Sequence, residues 1–247
     1  MTSREATHLL ALPDVDEALP RSLRDRIDVF AFGAIQWPWL LRSLWGGRKA
    51  DKAALLARLD LSADALPHLG SWKADTRFLT HIVDAIEAHR PATVVELGCG
   101  ASSLVIARAL QKFGGGRLVS YDQHRAFVVS TGQWLASQNV TADLRHAPLG
   151  PPPGDWPGLW YQLADPPSDI DLLVIDGPPW ALHPLVRGAA ESLFPRLADK
   201  ALILLDDAAR PGERLVARRW QKRWPRIAFA FDRSGTKGTL IGRVGAH

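Results

Sequence analysis

The sequence predicts an α/β fold with a mostly parallel sheet, and three observations carry that expectation. Thr93-Val-Val-Glu-Leu97 is a five-residue run of β-branched and apolar types. It is too short for a helical period and reads as a strand buried on both faces. Gly98 and Gly100 interrupt it, and Leu104, Val105, Ala107 and Leu110 then fall at helical spacing. From there to the C-terminus, short apolar runs alternate with amphipathic ones, the pattern of strands joined by helices.

The first 20 residues are polar, with Pro13 and Pro20, and read as a loose arm. Residues 21 to 70 look helical in pieces. Asp25 to Ala34 carries Ile27, Phe30, Ala31 and Ala34 on one side, and Trp37, Trp39, Leu40, Leu41, Leu44 and Trp45 follow before Gly46-Gly47. Asp51 or Lys52 to Leu59 is a short helix with Leu55, Leu56 and Leu59 inward. With Arg42, Arg48 and Lys49 nearby, the tryptophans suit an interfacial membrane helix. The plainer reading, adopted here, is a helical cap on the main domain or a homodimer surface.

Lys73 to Ala88 is the clearest helix, with Phe78, Leu79, Ile82, Val83 and Ile86 in one stripe and Arg90-Pro91 at its end. Arg117 to Asp122 reads as a second strand, about Arg125 to Gln138 as a helix, and Ala142 to His146 as a third strand. Seven prolines between Pro148 and Pro167 then exclude helix and central strand, with Trp156, Trp160 and Tyr161 interleaved. Such a tract frames a substrate entrance or is a surface flap anchored by its aromatics. Asp171 to Asp176 is a fourth strand, Leu185 to Phe194 a helix, and Lys200 to Asp206 a fifth strand. Glu213 to Arg223 is a helix whose outer face holds Arg214, Arg218, Arg219, Lys222 and Arg223; such a face is ordinarily just solvated. Ile227 to Phe231 and Thr239 to Val244 are two final strands, joined by a turn near Ser234-Gly235. The organisation expected is an arm and cap over residues 1–70 and one main domain over residues 71–247.

The 247 residues are 47% hydrophobic and 23% charged, which suits one sizeable core plus an accessory segment. Cys99 is the single cysteine, so no internal disulfide framework is available. With no signal peptide visible and no apolar stretch long enough to span a bilayer, a cytoplasmic protein is expected. A net charge of +4 permits an acidic partner without requiring one.

A strand, a glycine turn and a helix start let backbone approach a ligand at a helix N-terminus. Glu96, just before the turn, repels a pyrophosphate and suits a ligand carrying an ammonium or sulfonium group. Asp122 ends a second strand about 20 residues past the turn, where a carboxylate accepts hydrogen bonds from ribose hydroxyls. Asp122 also suits a cap for the helix starting near His124.

Val95-Glu-Leu-Gly-Cys-Gly100, Tyr121-Asp122, Leu173-Val-Ile-Asp-Gly-Pro-Pro179 and Ile203-Leu-Leu-Asp-Asp207 together resemble the ordered motifs of class I S-adenosylmethionine (SAM)-dependent methyltransferases, closest in pattern to small-molecule O-methyltransferases. The resemblance covers roughly residues 72 to 244. It implies a Rossmann-like sheet of seven strands, mostly parallel with the last strand antiparallel, and helices on both faces. It implies SAM as cofactor, with Gly98, Cys99, Gly100 and Ser102 in the turn against it, Glu96 near its ammonium group and Asp122 on its ribose. Gln123, His146 and Ala147 would lie toward the adenine, although the acidic residue often found after the third strand is missing. Trp72 is a candidate pocket wall or a core residue. Asp176 would flank the transferable methyl group.

Two chemistries compete around Asp176. In the first, Asp176, Asp206 and Asp207 match the positions of metal-dependent O-methyltransferases, and a magnesium ion would lower the pKa of a substrate hydroxyl. His183 would then be the general base. In the second, Gly177-Pro-Pro-Trp180 is a relative of the signature of amino-directed N-methyltransferases, which act on amines or nucleic-acid bases, with glycine where the acceptor side chain should be. The first is preferred: O-methylation of a small hydroxylated molecule, with nucleic acid the less favoured partner. A non-catalytic SAM-binding fold used as an interaction module is the third reading, and retention of Glu96, Gly98, Gly100 and Asp122 argues against it.

Overall fold

The computed structural model describes residues 23–245. The arm expected over the first 20 residues lies outside them. Strand β1 (Thr93–Leu97) is buried along its whole length because parallel neighbours flank it and helices cover both faces. Those neighbours are β2 (Arg117–Asp122) and β6 (Ile170–Ile175). The seven-stranded sheet has the order β3-β2-β1-β6-β7-β9-β8, with β3 (Asp143–His146) and β7 (Leu197–Leu205) also parallel to their neighbours. Antiparallel β9 (Thr239–Val244) lies between β7 and the edge strand β8 (Ile227–Asp232).

Side chains alternate across a strand, so each strand feeds two cores. Val94, Leu118, Leu172, Val174 and Leu204 pack with helices α3 (Thr76–His89) and α4 (Ala101–Ala109). The opposite set, Val95, Leu97, Val119, Leu173 and Ile203, meets helix α6 (Pro211–Arg223) and an irregular 3₁₀ run, Val186–Arg196. That run replaces the helix expected over Leu185 to Phe194. Pro195 removes an amide, and Gly188 packs so tightly under the Trp156 ring that no side chain fits there. Helix α3 begins three residues later than expected because Asp75 caps it, accepting from the Phe78 amide at 2.8 Å.

The crossover from β3 to β6 has no helix, as its prolines require. The short hairpin β4 (Leu149–Gly150) and β5 (Trp160–Tyr161) folds the tract onto the sheet, burying Trp156, Trp160 and Tyr161. Arg219 and Arg223 of α6 each reach Asp155 at 2.7 Å, and the Arg219 guanidinium lies 3.9 Å from the Trp156 ring centre. The tract is thus an anchored flap, and two of the five expected surface cations of α6 hold it down. Helix α5 (Arg125–Ser137) follows β2.

Helix α1 (Leu23–Ser43) runs unbroken through Pro38, and its phase differs from expectation. Gln36 and Ser43 are buried, and Asp25, Asp28 and Phe32 are half-buried on the same side. Ile27 and Phe30 face outward, 65% and 80% exposed. Helix α2 (Lys49–Arg58) sends Leu55 and Leu56 into the same core as α3. Among the described residues, no helix is long and apolar enough to cross a membrane.

Candidate active site at the carboxyl ends of the strands

Hydrogen bonds between adjacent strand ends draw the loops after β1, β2, β3, β6 and β7 into one rim. The Gly98 amide donates to the Tyr121 carbonyl (2.8 Å), Ala147 to Asp122 (2.8 Å), Gly177 to Leu97 (2.7 Å) and Asp206 to Ile175 (2.9 Å). This brings Glu96, Asp122, Ala147, Asp176 and Asp206 to one end of the sheet. At Gly98, φ is +95° and a Cβ would sit 2.8 Å from the Gly177 amide nitrogen, so two loops touch there only because neither has a side chain. Gly100 opens α4 at φ +151°, facing Phe127, whose ring meets the edge of Trp72 at 6.3 Å. Trp72 is 38% exposed, a wall beside the turn rather than a core residue.

Glu96 is fully buried. Its Oε2 accepts from the Ser103 hydroxyl (2.5 Å) and the Ser120 hydroxyl (2.6 Å), and Ser103 Oγ in turn accepts from the Gly100 amide (2.9 Å). Oε1 has no hydrogen-bond partner. Burial pushes the Glu96 carboxyl up to about 7, against the pull of the serines. Asp122 accepts from the His124 amide (2.9 Å) and the Cys99 amide (3.3 Å), so it ties the glycine turn to the start of α5. Burial raises it to about 6. His146 Nε2 meets the Gln123 carbonyl at 3.1 Å, while Gln123 Oε1 is buried without a partner. Ser102 and Cys99 are buried, and burial holds the Cys99 thiol well above its usual range.

Tyr161 is the residue that sequence reasoning missed. Its hydroxyl is buried without a hydrogen bond and packs against Gly177, where a Cβ would collide with it. Burial, then the nearby Asp122, hold the phenol far above its usual range. Glu96 Oε1, Gln123 Oε1, Asp176 Oδ1 and the Tyr161 hydroxyl are therefore four buried polar atoms without hydrogen bonds, contributed by the ends of β1, β2, β5 and β6. Natively orphaned groups of this kind are costly unless a ligand satisfies them. Three of the four are acceptors, and the set fits a ligand rich in donors lying along the glycine turn.

Asp176, Asp206 and Asp207 each offer an oxygen within 4.8 Å of the others, so the three expected metal ligands do meet. Their charge is already answered. Lys237 Nζ lies 3.4 Å from Asp206 and 3.3 Å from Asp207. Arg187 approaches Asp207 at 3.1 Å and Asp176 at 3.5 Å, and Arg210 reaches Asp207 at 2.8 Å. All three cations are buried. Burial alone would raise Asp207, but Arg210, Lys237 and Arg187 hold it well below the usual carboxylate range. Like unit charges 4 Å apart repel by about 4 kcal/mol at an effective dielectric of 20, and a divalent ion doubles this for each cation it faces. The donor set does not fit a magnesium ion.

The remaining expected groups face elsewhere. His183 is buried, its Nδ1 accepting from the Leu185 amide at 3.1 Å, and its Nε2 faces Asp28 (3.6 Å) and Asp25 (3.9 Å) of α1. The Pro178 carbonyl accepts from Arg187 Nε at 3.2 Å, and the Trp180 ring packs under Gly33 of α1. The carbonyl and the aromatic that an amine-directed site would need are thus engaged within the chain.

The raised carboxyl of Glu96 has a consequence for stability. Between the ordinary value of 4.5 and about 7, the folded chain holds a proton on Glu96 that the unfolded chain has lost. Stability falls as pH rises through that window, by up to about 1.4 kcal/mol per pH unit. Urea unfolding of the ligand-free protein at pH 5, 6 and 7 should show a shallower decline in Glu96→Gln; an unchanged slope would contradict the assignment.

Residues 95–208 match a family model described as a methyltransferase domain. No curated protein sequence matches the chain. Among solved structures, an O-methyltransferase from Bacillus cereus in complex with SAH is 14% identical with a TM-score of 0.52, over 87% of this chain and 99% of that one. The SAH-bound methyltransferase PaMTH1 from Podospora anserina is 13% identical with a TM-score of 0.53, over 92% and 98%. The O-methyltransferase TomG from Streptomyces achromogenes, in complex with SAM, is 14% identical with a TM-score of 0.50, over 91% and 100%. At these identities the likeness is one of fold. Sheet order and strand-end geometry agree with that likeness, and residues 95–208 are similar to a methyltransferase domain.

Proposed function

We propose that this protein transfers a methyl group from SAM to an oxygen of a small hydroxylated substrate. The observation that carries the reading is the row of buried, unbonded polar atoms along the glycine turn, at the edge where open α/β sheets take their ligands. Neighbours described as O-methyltransferases in complex with SAH or SAM support the same choice. The ammonium group of SAM suits Glu96 Oε1, its ribose suits Asp122, and Gln123 and Ala147 lie toward the adenine.

Bound there, SAM supplies an electrophilic methyl: the substrate oxygen forms the new bond to carbon, the carbon–sulfur pair stays on sulfur, and the hydroxyl proton passes to a base. Asp176 is the base we assign. Its Oδ1 makes no hydrogen bond, and Arg187 fixes the loop by donating to the Asp176 carbonyl. Burial raises its affinity for a proton. His183, turned toward α1, is assigned a structural role.

Calorimetric titration should give micromolar SAM binding that strengthens from pH 6 to 8 as Glu96 and Asp122 ionise. Asp122→Ala should weaken binding more than about tenfold, and Asp176→Asn should lower kcat about a hundredfold or more with SAM affinity nearly kept. No SAM binding by the wild type would leave only the non-catalytic reading.

We further infer that α1 caps the site and pairs with a second copy of the chain. Leu23, Ile27, Phe30, Ala34, Trp37, Leu41 and Leu44 recur at alternating steps of four and three and all face outward. That is the spacing of a helix–helix seam. Ile35 and Trp45 beside it are also more than half exposed, and the whole is an apolar surface of the kind that a stable interface buries. Sedimentation should show a dimer that Ile27→Asp with Leu41→Asp converts to monomer. A wild-type monomer would mean that something else covers the stripe, residues 1–22 included.

A further inference from the structure

We propose that Lys237 fills the cation position among Asp176, Asp206 and Asp207, so that this methyltransferase works without a divalent metal and gains a metal site only when the ammonium is removed. Three carboxylates within 4.8 Å are the donor set of a magnesium or manganese site. Here an ammonium lies against two of them, and a guanidinium against Asp176 and Asp207.

The lysine is held there by its backbone. It sits in the turn between β8 and β9, and Asp75 Oδ2 accepts from the Thr236 amide (2.6 Å), the Thr236 hydroxyl (2.9 Å) and the Lys237 amide (3.2 Å). The Lys237 carbonyl accepts from the Ala209 amide at 3.0 Å, and Gly238 accepts from Ala208 at 3.0 Å. The turn is therefore pinned on one side to the cap of α3 and on the other to the segment after Asp207. From that anchorage the side chain, 1% exposed, ends between the two aspartates. The charged groups around the cluster come from several elements: Asp75 before α3, Asp176 after β6, Asp206 and Asp207 after β7 and Glu213 in α6, against Arg187 from the 3₁₀ run, Arg210 beside α6, and Lys237. Removing the one cation that lies between Asp206 and Asp207 leaves their oxygens facing each other with a gap the size of a cation.

The test uses the full chain after chelation, with Mn²⁺ as probe, read by electron paramagnetic resonance and by thermal shift. Wild type should show no stoichiometric Mn²⁺ binding below millimolar concentration, and its methyl transfer, where present, should change less than twofold in EDTA. Lys237→Met should bind one Mn²⁺ more than about tenfold tighter than wild type and melt higher with the ion. Adding Asp206→Asn to it should abolish both effects, and Lys237→Arg should behave as wild type. Stoichiometric Mn²⁺ binding by the wild type, or a folded Lys237→Met that binds none, overturns the proposal. If Lys237→Met does not fold, the wild-type titration decides alone. Because the titration reads metal and not turnover, its outcome stands apart from the methyl-transfer reading.

Discussion

Taking four carboxyl groups out of water at one end of a sheet costs several kcal/mol per ion unless cations go with them. Asp176, Asp206, Asp207 and Glu213 are all taken out of water here, and Arg187, Arg210 and Lys237 arrive from three separate parts of the chain to meet them. Each cation carries backbone with it. Arg187 donates to the carbonyls of Asp176, Pro178 and Asp206, so the loops after β6 and β7 are set by one guanidinium. Lys237 brings the turn between β8 and β9, which Asp75 ties to α3. The shape of the rim follows from this electrostatic knot as much as from the sheet.

The ligand side of the rim has the opposite character. Glu96, Gln123 and Tyr161 keep buried polar atoms without hydrogen bonds. One end of the sheet thus has a half whose carboxylates meet buried cations and a half whose carboxyls, Glu96 and Asp122, meet serine hydroxyls and backbone amides. Asp176 stands at the boundary: its Oδ1 makes no hydrogen bond and has the Arg187 guanidinium 3.5 Å away. The base we propose is thus positioned by Arg187 without a full hydrogen bond to neutralise it.

Much of this was legible in the chain. The bounds of β1 and β2 follow from short apolar runs that a helix cannot use, and the runs themselves point to the acids at their ends, Asp122 closing β2 and Asp176 directly after β6. The prolines of the tract after β3 excluded a helix there. The phase of α1 was not legible because apolar residues occur on both of its sides, and the inward face is marked by Asp25, Asp28 and Gln36, which composition would place outside. Lys237 sits in Ser-Gly-Thr-Lys-Gly, a sequence that reads as a solvated turn, about 30 positions from its partners. Only the antiparallel return of β9 beside β7 brings it to them. Tyr161 was hidden likewise, in a proline-rich loop whose folding no period announces.

The account turns on one rim holding both a methyl donor and an internal cation. A crystal of the protein with S-adenosylhomocysteine, grown in manganese chloride and measured at the manganese edge, tests both at once. The account predicts ligand density against Asp122 and Glu96 Oε1, the Lys237 ammonium between Asp206 and Asp207, and no anomalous peak beside them. A manganese peak ligated by Asp176, Asp206 and Asp207, with Lys237 turned away, would contradict it.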